Sequence, residues 1–153
     1  MAACVEDEGG TVDKYIGDSV MAFWGAPYPI ANHALRACRA AIQVRDAVAE
    51  ANKHFASQGI PILKMGIGIN CGPVLAGNIG APGRVNYTLV GDTVNLAQRL
   101  EQLTKPLAKP DDQVTILVSK DVAEAVRGTI DIEALGTHNI RGREATIEVF
   151  RLA

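Results

Sequence analysis

The sequence predicts an α+β sandwich, with helices layered on one face of a mainly antiparallel sheet. Three observations predict it. One long segment carries small and apolar residues at helical spacing, several short β-branched runs are punctuated by glycine, and the strands follow one another through hairpin-type turns. With 153 residues and 48% hydrophobic content, the chain is long enough for one ordinary core, so residues 1–153 are read as a single domain.

The opening MAACVEDEGG places Ala2, Ala3 and Val5 before a run of acids and the pair Gly9-Gly10, the pattern of a helix approaching its C-terminal stop. Thr11 to Ile16 and Ser19 to Trp24 are rich in β-branched and aromatic residues and flank Gly17-Asp18, which predicts a β-hairpin. Between Asn32 and Gln58, the residues Ala34, Ala37, Ala41, Val44, Val48, Ala51 and Phe55 alternate steps of three and four, one face of a helix. After Pro61, strands are expected at Leu63 to Asn70, Val74 to Ile79 and Val85 to Val90, with Ala81-Pro82-Gly83 as a turn. Asp92 is a plausible N-cap for a second helix through Leu96, Leu100 and Leu103 to Thr104, followed by a proline-containing loop over Lys105 to Asp112. The remainder predicts a strand at Val114 to Val118, a short helix at Lys120 to Arg127 and two or three strands from Thr129 to Arg151.

The formal net charge of -2 offers no basic field for nucleic acid or an anionic membrane, so phosphate binding would have to be local. Cys4, Cys38 and Cys71 are odd in number and widely spaced, against a disulfide framework or zinc site and in keeping with a reducing cytoplasm. No apolar run is long enough to span a membrane, although a longer parent protein could be anchored elsewhere. His33, His54 and His138 lack ligand spacing, and Tyr15, Phe23 and Trp24 have no interleaved basic residues, so core or surface roles are expected of them.

Taken bare, Asp18 in the turn of DKYIGDSVMAFWGAP reads as a turn former, and Lys14 as a solvated strand residue. Asn95 and Arg99 lie four apart on the second helix and share a face. They read either as a surface polar pair or as an amide and a guanidinium converging on a phosphate or ribose oxygen. The glycines of GIGINCGPVLAGNIG fit neither a phosphate loop nor a dinucleotide fingerprint; close strand packing and turns are expected there.

The three segments DKYIGDSVMAFWGAP, GIGINCGPVLAGNIG and YTLVGDTVNLAQRL occur here in the order and approximate spacing of class III adenylyl and guanylyl cyclase catalytic domains, and the ending NIRGREATIEVFRL is similar to that family's terminal hairpin. The resemblance implies a ferredoxin-like nucleotide cyclase fold and conversion of ATP to 3′,5′-cyclic AMP and pyrophosphate. By resemblance, Asp18 is one of two metal aspartates, with the carbonyl of Ile16 or Gly17 beside it, for Mg²⁺ or Mn²⁺. Lys14 and Thr88 match the purine-reading pair: a lysine donor and a hydroxyl acceptor complement adenine, whereas guanine reverses both signs. Guanylyl cyclases usually carry glutamate and cysteine there. Asn95 resembles the ribose-orienting asparagine, and Arg99 the arginine that stabilises charge at the α-phosphate, an effect commonly worth about 3 to 4 kcal/mol. Arg141 and Arg143 stand equally for the basic residue that meets the terminal phosphates.

The family's first metal aspartate, on an opening strand like F-x-D-I-x-G-F-T followed by a helix, has no counterpart in these residues, and neither Asp13 nor Asp92 replaces it by motif position. The expectation is therefore a domain lacking its opening strand and helix, with weak ATP binding and impaired activity. The resemblance also implies a homodimer with composite sites, each taking its metal aspartates from one protomer and Lys14, Thr88, Asn95 and Arg99 from the other. The alternative is a catalytically silent cyclase-homology module that serves as a dimerisation or regulatory partner; a guanylyl cyclase is disfavoured by Lys14 and Thr88.

Overall fold

The computed structural model describes residues 1–139 and 146–153. In chain order it contains α1 (Ala2–Asp7), the hairpin β1 (Thr11–Ile16) and β2 (Ser19–Phe23), α2 (His33–Ser57), β3 (Met65–Ile69), the hairpin β4 (Leu75–Ala81) and β5 (Arg84–Val90), α3 (Asp92–Leu107), β6 (Val114–Ser119), α4 (Lys120–Val126), β7 (Ile132–Asn139) and β8 (Thr146–Leu152). Strands β3, β6, β8 and β7 form the main sheet in that order, and the hairpins β1-β2 and β4-β5 form separate two-stranded sheets. Pairing is antiparallel throughout except between β3 and β6, which run parallel.

The centre of the molecule is β6, whose six residues are all buried, as expected of a strand covered on both faces. Its side chains alternate between two clusters. Val114, Ile116 and Val118 pack with Ala34, Cys38, Ala41, Val44 and Val48 of α2 and Val122, Ala123 and Val126 of α4. Leu117 points the other way, to Leu100 of α3 and Val149 of β8. The helices therefore occupy both faces of the sheet, α2 and α4 on one and α3 on the other, which corrects the expected single helical layer. The alternating apolar set of β6 leaves two faces to cover, and α3 supplies Leu96, Leu100, Leu103 and Leu107 for the second.

Strand β3 divides the same way. Met65, Ile67 and Ile69 join the α2 cluster, while Gly66 and Gly68 face α3. A Cβ on Gly68 would lie 2.3 Å from both the Ala97 carbonyl oxygen and the Glu101 amide nitrogen, and one on Gly66 would lie 1.9 Å from Thr104 Oγ1. These glycines let the helix seat directly on the strand backbone.

The apolar stripe of α2 is buried from Ala34 to Val48. Near its C-terminal end Asn52, 2% exposed, donates to Leu63 O and Gln113 Oε1 at 2.8 Å each and accepts from the Leu63 amide at 2.7 Å. It thereby ties α2 to the segments entering β3 and β6, a role that the helical periodicity does not reveal. Helix α3 runs past the expected Thr104 through Pro106 to Leu107, because Leu107 packs on the Leu100 cluster and a proline in the last turn breaks few helical bonds. Its cap is Gly91, with Asp92 the first helical residue, so the expected Asp92 N-cap shifts by one position.

Candidate active site

A bulge in β1 builds the first part of the site. The β1-β2 register runs Val12↔Ala22 and then Lys14↔Met21, so Asp13 is the extra residue. In a regular strand Asp13 and Lys14 would point to opposite faces; the bulge lets both reach one group on β5. That group is Thr88, 6% exposed. Lys14 Nζ donates to Thr88 Oγ1 at 3.0 Å, Thr88 Oγ1 donates to Asp13 Oδ2 at 2.5 Å, and Lys14 Nζ lies 3.3 Å from the same carboxylate oxygen. The Asp13 side chain is 1% exposed and that of Lys14 is 40% exposed. The result is a closed triangle of an acid, a hydroxyl and an ammonium, in which only the lysine side chain is substantially exposed.

Residues Lys14 and Thr88, 74 positions apart in sequence, are thus brought together. Asp13 is the member that sequence reasoning missed. Its motif position speaks only to a metal role, strand alternation would direct it away from Lys14, and the bulge has no clear sequence signal.

Asp18 lies at the tip of the β1-β2 hairpin, exposed, beside Gly17 at φ 62°, a left-handed turn conformation that glycine adopts without strain. Ile16, 59% exposed, ends β1 opposite Ser19. A solvent-facing carboxylate next to a turn carbonyl has the hard oxygen chemistry of a Mg²⁺ or Mn²⁺ site, and fits such an ion as one corner of a coordination sphere. Among the described residues no three His, Cys, Asp or Glu side chains cluster as a metal site.

Asn95 and Arg99 project from successive turns of α3, Asn95 exposed and Arg99 half-buried, with Arg99 Nη1 donating to Gln102 Oε1 at 3.1 Å. Among the described residues no hydrogen bond or ion pair joins them to Lys14, Thr88 or Asp18. One chain therefore presents three groups: a hairpin tip, a buried-edge triangle and a helix face. Arg141 and Arg143 lie outside the described residues.

A recess of about 170 Å³ at the start of α3 is lined by Asn70, Cys71, Pro73, Asp92, Thr93 and Asp121, among others, and includes none of the residues above. Burial, and secondarily Asp121, raises the Cys71 thiol pKa, so the thiolate is disfavoured there.

A protein-family model described as the adenylate and guanylate cyclase catalytic domain matches residues 4–153. The chain is 34% identical over 143 residues to adenylate cyclase 1 of Rhizobium meliloti (strain 1021), covering 94% of this chain and 21% of that protein. Among solved structures, the adenylyl cyclase CyaB from P. aeruginosa matches with a TM-score of 0.87 at 29% identity, over 99% of this chain and 76% of that one. The guanylyl cyclase Cya2 matches with a TM-score of 0.86 at 31% identity, over 99% of this chain and 74% of that one. The backbone thus resembles an adenylyl and a guanylyl cyclase almost equally, and nucleotide choice has to be argued from side chains.

Proposed function

The chain belongs to the adenylate and guanylate cyclase catalytic-domain family, and from that premise we propose that it is of adenylyl cyclase type, converting ATP to 3′,5′-cyclic AMP and pyrophosphate. The observation that carries the choice of ATP is the 3.0 Å contact between Lys14 Nζ and Thr88 Oγ1. The lysine donor complements the N1 acceptor of adenine and opposes the N1–H of guanine, and the hydroxyl beside it can accept from the exocyclic amine of adenine.

In this reading Asn95 orients the ribose and Arg99 opposes the negative charge that develops at the α-phosphate as the 3′ oxygen attacks. Arg141 and Arg143 are the candidates for the terminal phosphates. Asp18, with the carbonyl of Ile16, would hold Mg²⁺ or Mn²⁺. When bound, the metal ions lower the pKa of the 3′ hydroxyl and neutralise the triphosphate. The family resemblance implies a homodimer in which Asp18 of one protomer faces Lys14, Thr88, Asn95 and Arg99 of the other, and the lack of any hydrogen bond or ion pair from Asn95 or Arg99 to Lys14, Thr88 or Asp18 among the described residues is compatible with it.

Among these residues Asp18 is the one that matches the family's metal aspartates, and two-metal chemistry would need a second carboxylate beside it. The alternative reading is a catalytically silent module that regulates or dimerises with a complete cyclase. The test is cyclic AMP formation from ATP with Mn²⁺ by the 153-residue chain and by the chain joined to an upstream strand and helix of the cyclase type. The adenylyl cyclase reading expects weak or no turnover by the first and robust turnover by the second, abolished by Asp18→Ala or Arg99→Ala. Inactivity of both would transfer the argument to the silent module.

A further inference from the structure

Asp13 takes no part in the reading so far, yet its carboxylate is the most enclosed acid of the site, 1% exposed, and a β1 bulge turns it toward the same hydroxyl that Lys14 reaches. A lone threonine hydroxyl is ambivalent: it has one proton to give and two lone pairs to receive. It could accept from the amine of adenine or rotate and donate to O6 of guanine, so by itself it discriminates weakly. In this structure the Thr88 proton is already committed, donated to Asp13 Oδ2 at 2.5 Å. The acceptor is an ionisable carboxylate with Lys14 Nζ 3.3 Å away, and a charge-assisted bond of this kind is stronger than a neutral one.

Resting on the ATP reading above, we infer that Asp13 is a specificity-determining positioning residue: by holding the Thr88 proton it fixes Thr88 Oγ1 as an acceptor and so imposes adenine over guanine. One Thr88 lone pair receives Lys14, and the other is left for the exocyclic amine. The ammonium of Lys14 has three N–H donors; one goes to Thr88, Asp13 lies 3.3 Å away as an ion pair, and among the described residues no further acceptor is hydrogen-bonded to it, which leaves a donor for N1. The triangle therefore presents one donor and one acceptor, with neither able to reverse. Asp13 does not touch the nucleotide; it acts through Thr88.

The test is equilibrium binding of ATP and of GTP, with Mg²⁺, to the full chain and to Asp13→Asn, Thr88→Val and the double variant. Binding is chosen because it does not depend on turnover. Asp13→Asn preserves shape but offers an amide that can donate as well as accept, which releases the Thr88 hydroxyl to turn. The expected result is that the ATP:GTP affinity ratio falls about tenfold in Asp13→Asn, the scale of one charge-assisted hydrogen bond. In the Thr88→Val background, the same change leaves the ratio where Thr88→Val put it. A merely structural Asp13 would weaken ATP and GTP together, or lower the melting temperature, with the ratio unchanged in Asp13→Asn; that result overturns the inference while leaving the ATP reading intact. An unaltered chain that favours GTP, or that binds both equally, overturns the ATP reading and the inference with it.

Discussion

Gly68→Ala tests how the sheet positions the helix that carries Asn95 and Arg99. The added methyl would sit 2.3 Å from the Ala97 carbonyl oxygen and 2.3 Å from the Glu101 amide nitrogen. Both are backbone atoms of α3, so no side chain can swing aside, and the helix must retreat by about 1 Å to restore ordinary contacts. Overpacking of this kind costs up to about 3 kcal/mol. Alanine recovers up to about 1 kcal/mol by restricting the unfolded chain. The net loss is about 2 kcal/mol, read as a lower urea midpoint with an unchanged slope. Gly77→Ala is the control: nothing lies within 4 Å of its added Cβ, and its stability should equal the parent's or exceed it by up to about 1 kcal/mol. In an active assembly, Gly68→Ala should also lower turnover, since a displacement of about 1 Å in a catalytic group costs up to about a hundredfold. Equal stability of the two alanine variants would refute the direct seating of α3 on β3.

Three further predictions concern the core. Asn52→Ala strips partners from both polar groups of Leu63 and from Gln113 and should cost about 2 kcal/mol in urea unfolding. Arg151 is 7% exposed; it donates to Leu107 O and lies 3.6 Å from Asp112 and 3.9 Å from Glu133, but its Nε and Nη1 have no hydrogen-bond partner among the described residues. Arg151→Met removes one partner from these contacts and leaves the Leu107 carbonyl without its donor, and should cost about 2 kcal/mol or more in urea unfolding; stability equal to the parent's would contradict this. Burial, with a smaller contribution from Cys71, pushes the Cys38 thiol up to about 12 from 9.0. Above pH 9 the unfolded chain therefore releases a proton that the folded chain keeps, and stability falls as pH rises from 9 toward 12. Chemical unfolding between pH 8 and pH 11 should show that decline, and Cys38→Ala should make it shallower.

Much of this was legible in the residues themselves. The β1-β2 and β4-β5 hairpins follow from Gly17-Asp18 and Ala81-Pro82-Gly83, and the α2 stripe fixes that helix to within a residue at each end. The two-sided sheet was harder to foresee, because in MGIGI the glycines carry no hydropathy signal and only the structure reveals α3 resting on them. The Lys14-Thr88 pairing was expected from family resemblance, and no local pattern links residues so far apart. Asp13 escaped for a physical reason: alternation assigns it to the face opposite Lys14, and one inserted residue in the ladder cancels that rule. Asn52 escaped likewise, since beside the stripe position Ala51 it looks like an ordinary polar helix residue until the backbone of Leu63 is seen to need it.

The central claim, an adenine-reading pair on a cyclase domain, is tested most directly by measuring product identity. The chain, joined to an upstream cyclase strand and helix, would be given ATP and GTP in parallel with Mn²⁺, before and after the combined change Asp13→Asn, Lys14→Glu and Thr88→Cys, the first of which releases the proton that Asp13 holds. Cyclic AMP should dominate with the unaltered pair, and the product should shift toward cyclic GMP once donor and acceptor are exchanged. Preferential cyclic GMP formation by the unaltered pair, or a preference indifferent to the exchange, would contradict it.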